Sequence, residues 1–486
     1  MTEETSFGGT GLGQWQRMSM ARGGSGVAAA AAAAFDSLPP APQFAGLLGN
    51  RRFLQAVGVT AFLLFVAVVL RRGGGASDAA LTAASVDGAE LWRRIAETTA
   101  QAAAAGLLHP IATTFEIAED GGVPFILSLV DASSAASKDG KATYGTAAPA
   151  GPDYDPFGRG RRDPRMVAAE APPDHVLVLN KFPTMSGHVL LVTDGFQPQW
   201  AALTLSDFRA WFRLVEALPA VGFFNSAAEA GASQKHKHMQ LIPMETLASY
   251  VNGAGGDGKA RSGGGGYGSG HSGGYGSGYG DGYDGAPWDP MPVSAAVAAR
   301  VGDSRDFERV WHVPQYTFEH GVVLLPTRQE WAHLVARGGG AGPDSADGGG
   351  GDDGGDGYYR HLLGQYHALL AAVGFDAAAV RGAAAEAEAL AKAAAAAATT
   401  AVGAVADLAA PTEPTSAATL PPYNLLLTSR YMMAVPRTQR EFVGVDVNGM
   451  GFFGALLARD ERTREVILDV GGLEILKGVT LPRRRG

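Results

Sequence analysis

The sequence predicts a domain that mixes helices with antiparallel strands, and three stretches predict it. In "HVLVLNKFPTMSGHVLLVT", two β-branched apolar runs flank the turn-rich "NKFPTMSG", the pattern of a hairpin. In "LTLSDFRAWFRLVEALP", Leu205, Phe208, Phe212 and Val215 recur at helical spacing behind a Thr204 or Ser206 cap. "VGFFNSAAEAGASQKHKHMQLIP" reads as a strand, a small-residue loop and a second strand ending at Pro243.

The elements follow in chain order. Residues 1–51 are Gly-, Ala- and Ser-rich and have the composition of a disordered segment. The apolar stretch from Phe53 to Leu70 is near the lower length limit for crossing about 30 Å of hydrocarbon. It is a candidate membrane anchor, with part of an organelle transit region as the other reading. Arginine pairs on both sides leave its orientation open. Ordered sequence begins near Gly88 with "AELWRRIAETTAQAAAAGLL", an amphipathic helix. A turn at Asp120–Gly122 and an apolar strand come next, and residues from Asp131 to Ala171 read as a long loop.

A first catalytic region spans 88–250. Residues 251–290 form a Gly/Tyr-rich insertion whose near-absence of arginine favours a loop over an RNA-stacking element. The domain continues over 291–337 and is interrupted at 338–357 by a Gly/Asp-rich insertion. A core helix is expected over 358–381, then an Ala-rich insertion over 382–420 whose alanine stretch can be helical but has no mixed pattern to bury. The last part, 421–486, supplies strands at "YNLLLTSRYMMAVPR" and "GFFGALLARD" and a short helix near Gly472–Lys477.

Composition narrows the function. Glycine accounts for 68 of 486 residues, which inflates the length beyond the folded part. A net charge of −9 argues against a dedicated nucleic-acid binder, although it permits a local basic pocket. With no cysteine, disulfides, thiolate zinc sites and cysteine nucleophiles are all excluded.

The chemistry concentrates in "GASQKHKHMQLIP". On a strand, residues two apart share a face, so His236, His238 and Gln240 would line one surface and Lys237, Met239 and Leu241 the other. Neutral imidazole is a capable nucleophile toward phosphorus. The preceding loop offers donors for phosphate oxygens in Asn225, Ser226, Ser233 and Gln234. Glutamine in the third place can bond a phosphate but cannot deliver a proton, which suits a weakly basic phosphate leaving group. From the pattern alone, catalysis, metal ligation and a surface strand all stay open. A third metal ligand would have to be His175, His188 or a carboxylate.

The motif resembles the active-site strand of the histidine-triad (HIT) superfamily in its H-x-H-x-Q transferase branch, specifically the ATP adenylyltransferase, or diadenosine tetraphosphate (Ap4A) phosphorylase, family. Four further blocks agree in order: "EIAEDGGVPFILSLV", "HVLVLNKFPTMSGHVLLVT", "FFNSAAEAGASQKHKHMQ", and "YNLLLTSRYMMAVPR" with "GFFGALLARD". The resemblance implies an α+β fold, a HIT-like antiparallel sheet with packed helices. It also implies phosphorolysis of Ap4A to ATP and ADP through a covalent AMP on His238. His236 would support that ring through its backbone carbonyl, and Gln240 would contact the transferred phosphate. Gly231, Ser233 and Gln234 match the phosphate-cradling loop, and Asn225 and Ser226 open it. Asn180 and Lys181 match the block that meets ribose or phosphate, while Thr428 and Arg437 are the C-terminal candidates. His188 is read as a packed strand residue.

The implied partners are small nucleotides and phosphate, with no nucleic acid. The implied cofactor is only a divalent cation, Mg, arriving with the polyphosphate. Two alternatives stand beside this: a hexose-1-phosphate uridylyltransferase or GDP-hexose phosphorylase, and a catalytically silent, membrane-tethered nucleotide-binding protein. The chain departs from the family pattern at Ala227 and Ala228, where Gly-Pro is usual, at Lys235, where Pro is common, and at Ser128, where a basic residue is frequent.

Overall fold

Each element starts where local chemistry lets it start. In the computed structural model, which describes residues 87–132, 155–244, 246–247, 260–261, 291–337, 356–400 and 419–484, helix α1 (Gly88–Ala104) opens at Asp87. The Asp87 carboxylate accepts hydrogen bonds from the Ala89 and Glu90 amides, satisfying donors the first turn would otherwise leave bare. Strands β1 (Thr113–Asp120) and β2 (Val123–Val130) pair antiparallel across the turn expected at Asp120–Gly122.

Residues 131–171, expected to be one loop, hold a third strand instead. β3 (Val167–Ala171) pairs with β4 (His175–Leu179), and β4 forms the predicted hairpin with β5 (Val189–Thr193). The sequence "VAAEA" has weak intrinsic strand preference; pairing with β4 at a sheet edge overrides it.

Helix α2 (Leu205–Ala217) is capped by Thr204, with Asp207 closing a capping box. β6 (Ala220–Asn225) and β7 (His238–Pro243) then pair antiparallel, as expected. β8 (Ala260–Arg261) lies inside the Gly/Tyr-rich insertion and pairs with β1. There follow α3 (Pro292–Val301), β9 (Val310–Trp311), β10 (Gly321–Leu324), α4 (Arg328–Ala336) and α5 (Asp356–Ala372).

The Ala-rich stretch is not a bare insertion. Helix α6 (Ala377–Thr400) begins before it, and Val380, Ala383, Ala387 and Ala391 are buried against the helical layer. Alanines four apart make a narrow stripe that lets another helix approach closely, so burial needs no mixed pattern. The chain ends with β11 (Tyr423–Leu427), β12 (Tyr431–Pro436), β13 (Glu441–Phe442), β14 (Val445–Asp446), α7 (Gly449–Phe452), β15 (Ala455–Ala458), α8 (Glu461–Val470) and α9 (Gly472–Gly478). Of these, α8 is absent from the sequence reading.

Nine strands form one fully antiparallel sheet in the order β3-β4-β5-β7-β6-β11-β12-β10-β9. With its packed helices it is the α+β architecture. One face packs on helices: Leu191, Met239, Leu241, Phe224 and Leu425 share a core with Trp211, Phe208, Tyr366 and Leu369. The other face carries Phe223, Ile242, Leu426 and Met433, which share a core with Phe125 and Leu127 of a second, four-stranded sheet, β15-β2-β1-β8. On that same face, Val176, Val178, Leu190 and Val192 make a separate small cluster.

Residues 53–70, the candidate membrane anchor, lie outside the described residues, as do most of the two Gly-rich insertions. Among the described residues, no helix is long and apolar enough to cross a membrane.

Candidate active site

Between the two clusters on the second face runs the polar row of β7. Register places Val192 opposite His238, and Leu190 and Phe223 opposite Gln240. Alternation does what the spacing requires: Met239 and Leu241 enter the helical core while His238 and Gln240 face the other way. The bend just before β7 is stapled by a side chain. Gln199 Oε1 accepts from the His238 amide, and its Nε2 donates to the carbonyls of Asn225 and His238. Gln199 therefore fixes the end of β6 against the start of β7.

The His238 ring is buried, and its Nδ1–H donates to the His236 carbonyl at 2.9 Å. A carbonyl can only accept, so the proton sits on Nδ1 and Nε2 keeps its lone pair. Nε2 has no hydrogen-bond partner among the described residues. Burial lowers the pKa of His238 to about 4, with the nearby His236 adding to the effect against the carbonyl bond. The ring is neutral at pH 7.

Both ring nitrogens of His236 are engaged by neighbours. Its Nδ1 meets Asp155 Oδ2 at 2.8 Å, and its Nε2 meets the Thr193 carbonyl at 2.8 Å and hydroxyl at 3.0 Å. Burial alone would raise the Asp155 pKa; the His236 hydrogen bond overcomes this and holds the carboxyl below its usual range. Phe196 packs edge-on to His236, and Phe157 lies 5.4 Å from the His238 ring, between centroids.

A chain of forced assignments orients Gln240. Asn180 Oδ1 accepts from the Phe182 amide, so its Nδ2 is the group donating to His188 Nδ1 at 3.0 Å. His188 then carries its proton on Nε2 and donates to Gln240 Oε1 at 2.9 Å. The Gln240 amide NH2 is left without a protein partner among the described residues. Desolvation pushes the His188 pKa down to about 4, so this tautomer is not lost to protonation near neutrality. His188, read from the sequence as a packed strand residue, thus joins two of the site residues. No local signal gave this, since only the pairing of β5 with β7 brings the start of β5 beside Gln240.

The loop before β7 divides into held and free parts. Gly231 has φ +93°, and a Cβ there would sit 2.8 Å from Asn448 Cβ, so only glycine fits. Asn225 is buried, its Oδ1 accepting from Asn424 Nδ2 and the Gly449 amide. Ser226 Oγ accepts from the Tyr423 amide. Ser233 is exposed and Gln234 half-buried, and neither side chain has a protein hydrogen bond among the described residues. Lys181 is exposed beside Phe182.

Arg437 is neither a surface charge nor a free donor. It is 3% exposed, and its guanidinium donates to the carbonyls of Ala230, Val447, Val479, Gln439 and Arg440 and to Asn424 Oδ1. Burial, with Arg440 nearby, lowers its pKa. It supports the loop from behind through Ala230. Thr428 is not brought to the row: its hydroxyl accepts from the Arg430 and Tyr431 amides in the β11–β12 turn. It lies four positions beyond Asn424, about 13 Å along the strand.

Beneath the histidines, on the helical face, lies a buried charge cluster. Lys237 Nζ, fully buried, donates to Asp207 Oδ2 at 3.0 Å, Gln197 Oε1 at 3.0 Å and the Ala202 carbonyl at 2.9 Å. His175 meets Asp207 at 2.7 Å and Asp174 at 3.0 Å. Against burial, these two carboxylates raise the His175 pKa to about 9. His175 and His188 are therefore committed elsewhere, and among the described residues no group of three or more His, Asp or Glu could hold a metal ion.

Residues 82–252 match the Ap4A phosphorylase N-terminal domain, and residues 356–482 match the ATP adenylyltransferase C-terminal domain. The chain is 40% identical over 75 residues to Protein APA1 of Saccharomyces cerevisiae, covering 14% of this chain and 23% of that protein. It is 35% identical over 82 residues to diadenosine tetraphosphate phosphorylase 2 of the same yeast, covering 15% and 25%. The chain thus aligns with about a quarter of the length of these curated relatives. Among solved structures it is similar to yeast Ap4A phosphorylase Apa2 in complex with AMP, with TM-score 0.48 and 18% identity over 82% of this chain and 98% of that one. The Apa2 complex with Ap4A gives TM-score 0.48 and 16% identity over 81% and 98%.

Proposed function

The chain belongs to the Ap4A phosphorylase and ATP adenylyltransferase family, and on that premise we propose that it cleaves Ap4A with inorganic phosphate to ATP and ADP. The observation that carries this reading is the His238 ring, neutral, pinned through Nδ1 to the His236 carbonyl, and presenting an unpartnered Nε2.

Nε2 attacks the α-phosphorus of one adenosine. A P–N bond forms, the P–O bond to the remaining chain breaks, and ATP leaves as a weakly basic phosphate that needs no proton from the enzyme. An oxygen of inorganic phosphate then attacks the same phosphorus. The P–N bond breaks, ADP departs and His238 returns to its starting form. The Gln240 NH2 donates to the non-bridging oxygens as charge develops, assisted by Ser233, Gln234 and the backbone around Gly231. In this reading Asn180 and Lys181 meet the ribose or phosphate, Asn225, Ser226 and Arg437 shape the cradle, and a divalent cation, Mg, enters on the polyphosphate. The apolar segment 53–70 would tether this enzyme to a membrane.

The test uses Ap4A labelled in the adenylyl group. The wild-type chain should retain one acid-labile AMP per active site when phosphate is withheld and release ADP when phosphate is added. His238→Ala and His238→Gln should form no adduct and turn nothing over. Full activity in either variant refutes the assignment.

A further inference from the structure

At the far edge of the nine-stranded sheet, β9 sits five strands from β7, about 24 Å at the usual spacing. A cavity of about 390 Å³ opens there, lined by Arg300, Arg309, Trp311, His312, Pro314 and Arg483 along with Val310. That volume lies within the range of small-molecule sites. Its lining is cationic, and none of the lining residues is acidic.

In a chain of net charge −9, most described arginines face a carboxylate: Arg93, Arg162, Arg209, Arg328, Arg440 and Arg464 all do. Arg300, Arg309 and Arg483 are exposed and form no ion pair among the described residues. Glu319, which acts on the lining residue His312, is already taken by the Arg484 amide and guanidinium. Three guanidinium groups on one cavity wall make a positive field that a small anion would enter favourably.

Trp311 organises the group. The guanidinium carbon of Arg309 lies 4.0 Å from its ring centroid and that of Arg300 lies 5.3 Å away, so two of the three cations are oriented by one rigid indole. Trp311 is 8% exposed, and its indole N–H is a buried donor with no acceptor among the described residues. His312 completes the lining. Its pKa is lowered by burial and then by Arg483, which places that guanidinium within electrostatic reach of the cavity wall.

We propose that this cavity is a second anion site, remote from His238, that takes the di- or triphosphate chain of a small polyanion. Forked guanidinium donors match phosphate oxygens in pairs, and a compact multivalent anion neutralises several of them at once, which a single carboxylate cannot. The same chemistry is offered by inorganic tripolyphosphate and by the triphosphate of a nucleotide.

The full chain labelled with 5-fluorotryptophan tests the site by ¹⁹F NMR, with the Trp311 resonance among the seven tryptophans assigned through Trp311→Phe. Tripolyphosphate or ATP should shift that resonance saturably. Arg483→Glu, at an exposed residue, should weaken the response at least ten-fold. Equal affinity for the two ligands assigns recognition to the phosphate chain alone, and a ten-fold preference for ATP adds a nucleoside contact. The response should persist in His238→Ala, which separates this site from the transferase reading. A Trp311 signal that ignores both ligands, is unchanged by Arg483→Glu, or vanishes in His238→Ala overturns the proposal.

Discussion

At the scale of the residue, the functional unit is an imidazole whose two nitrogens are told apart by one carbonyl. Because the folded pKa of His238 is about 4, the nucleophile stays unprotonated well below the usual histidine range. The acid limb of single-turnover adenylylation should therefore lie near pH 4 to 5. A limb near 6.5 in the pH profile would contradict this environment. Gln240 and His188 act as a pair in the same frame. Gln240→Ala should slow transfer by about 10²-fold or more by removing a transition-state donor. His188→Ala frees the Gln240 amide to rotate, so it should lower kcat more than it raises KM. The double variant should then be little worse than Gln240→Ala, and single-turnover rates of all three check whether the effects overlap.

Among elements, β7 is held at its start: Gln199 staples its first residue, and on the helical side the preceding Lys237 ties it to α2 through Asp207. Removing one member of a buried pair leaves the other uncompensated, so Lys237→Met should destabilise the chain by about 3–5 kcal/mol, read from the shift of the denaturant midpoint. Three of the histidines, His175, His188 and His238, also give stability a pH dependence of opposite signs. His175, raised to about 9, contributes fully below its unfolded value near 6.5, and that contribution is lost as pH rises through 9. His188 and His238, lowered to about 4, contribute above 6.5 and lose that contribution as pH falls toward 4. Denaturation midpoints should accordingly fall on both sides of a maximum near pH 6.5.

For the whole molecule, every described element lies in the part of the chain after residue 86, and the residues proposed to form the site and its supports lie between Asp155 and Arg437. Deleting residues 1–72 should leave kcat and KM for Ap4A unchanged and, if segment 53–70 is an anchor, move the protein out of the membrane fraction. Persistence in that fraction after the deletion would remove segment 53–70 as the anchor. The Ala-rich region belongs to the fold itself. With Ala383, Ala387 and Ala391 buried and Glu388 accepting from the Leu205 amide, excising α6 should cost cooperative folding, in contrast to trimming the N-terminus.

Local pattern was enough for much of this. Alternation along "HKHMQL" decided which side chains share a face, capping and apolar spacing gave α2, and the hairpin followed from its turn residues. These are properties of neighbours in sequence, and the reading of His238 and Gln240 rested on them. What the sequence left undecided depends on residues far apart in the chain. Asp155 meets His236 across 81 positions, Gln199 reaches His238 across 39, and Arg437 holds Ala230 across 207. Strand order alone decides that His188 touches Gln240 and that Thr428 stays away. A hydrogen bond depends on distance and direction in space, and no periodicity along the chain encodes either one between elements that meet only after folding.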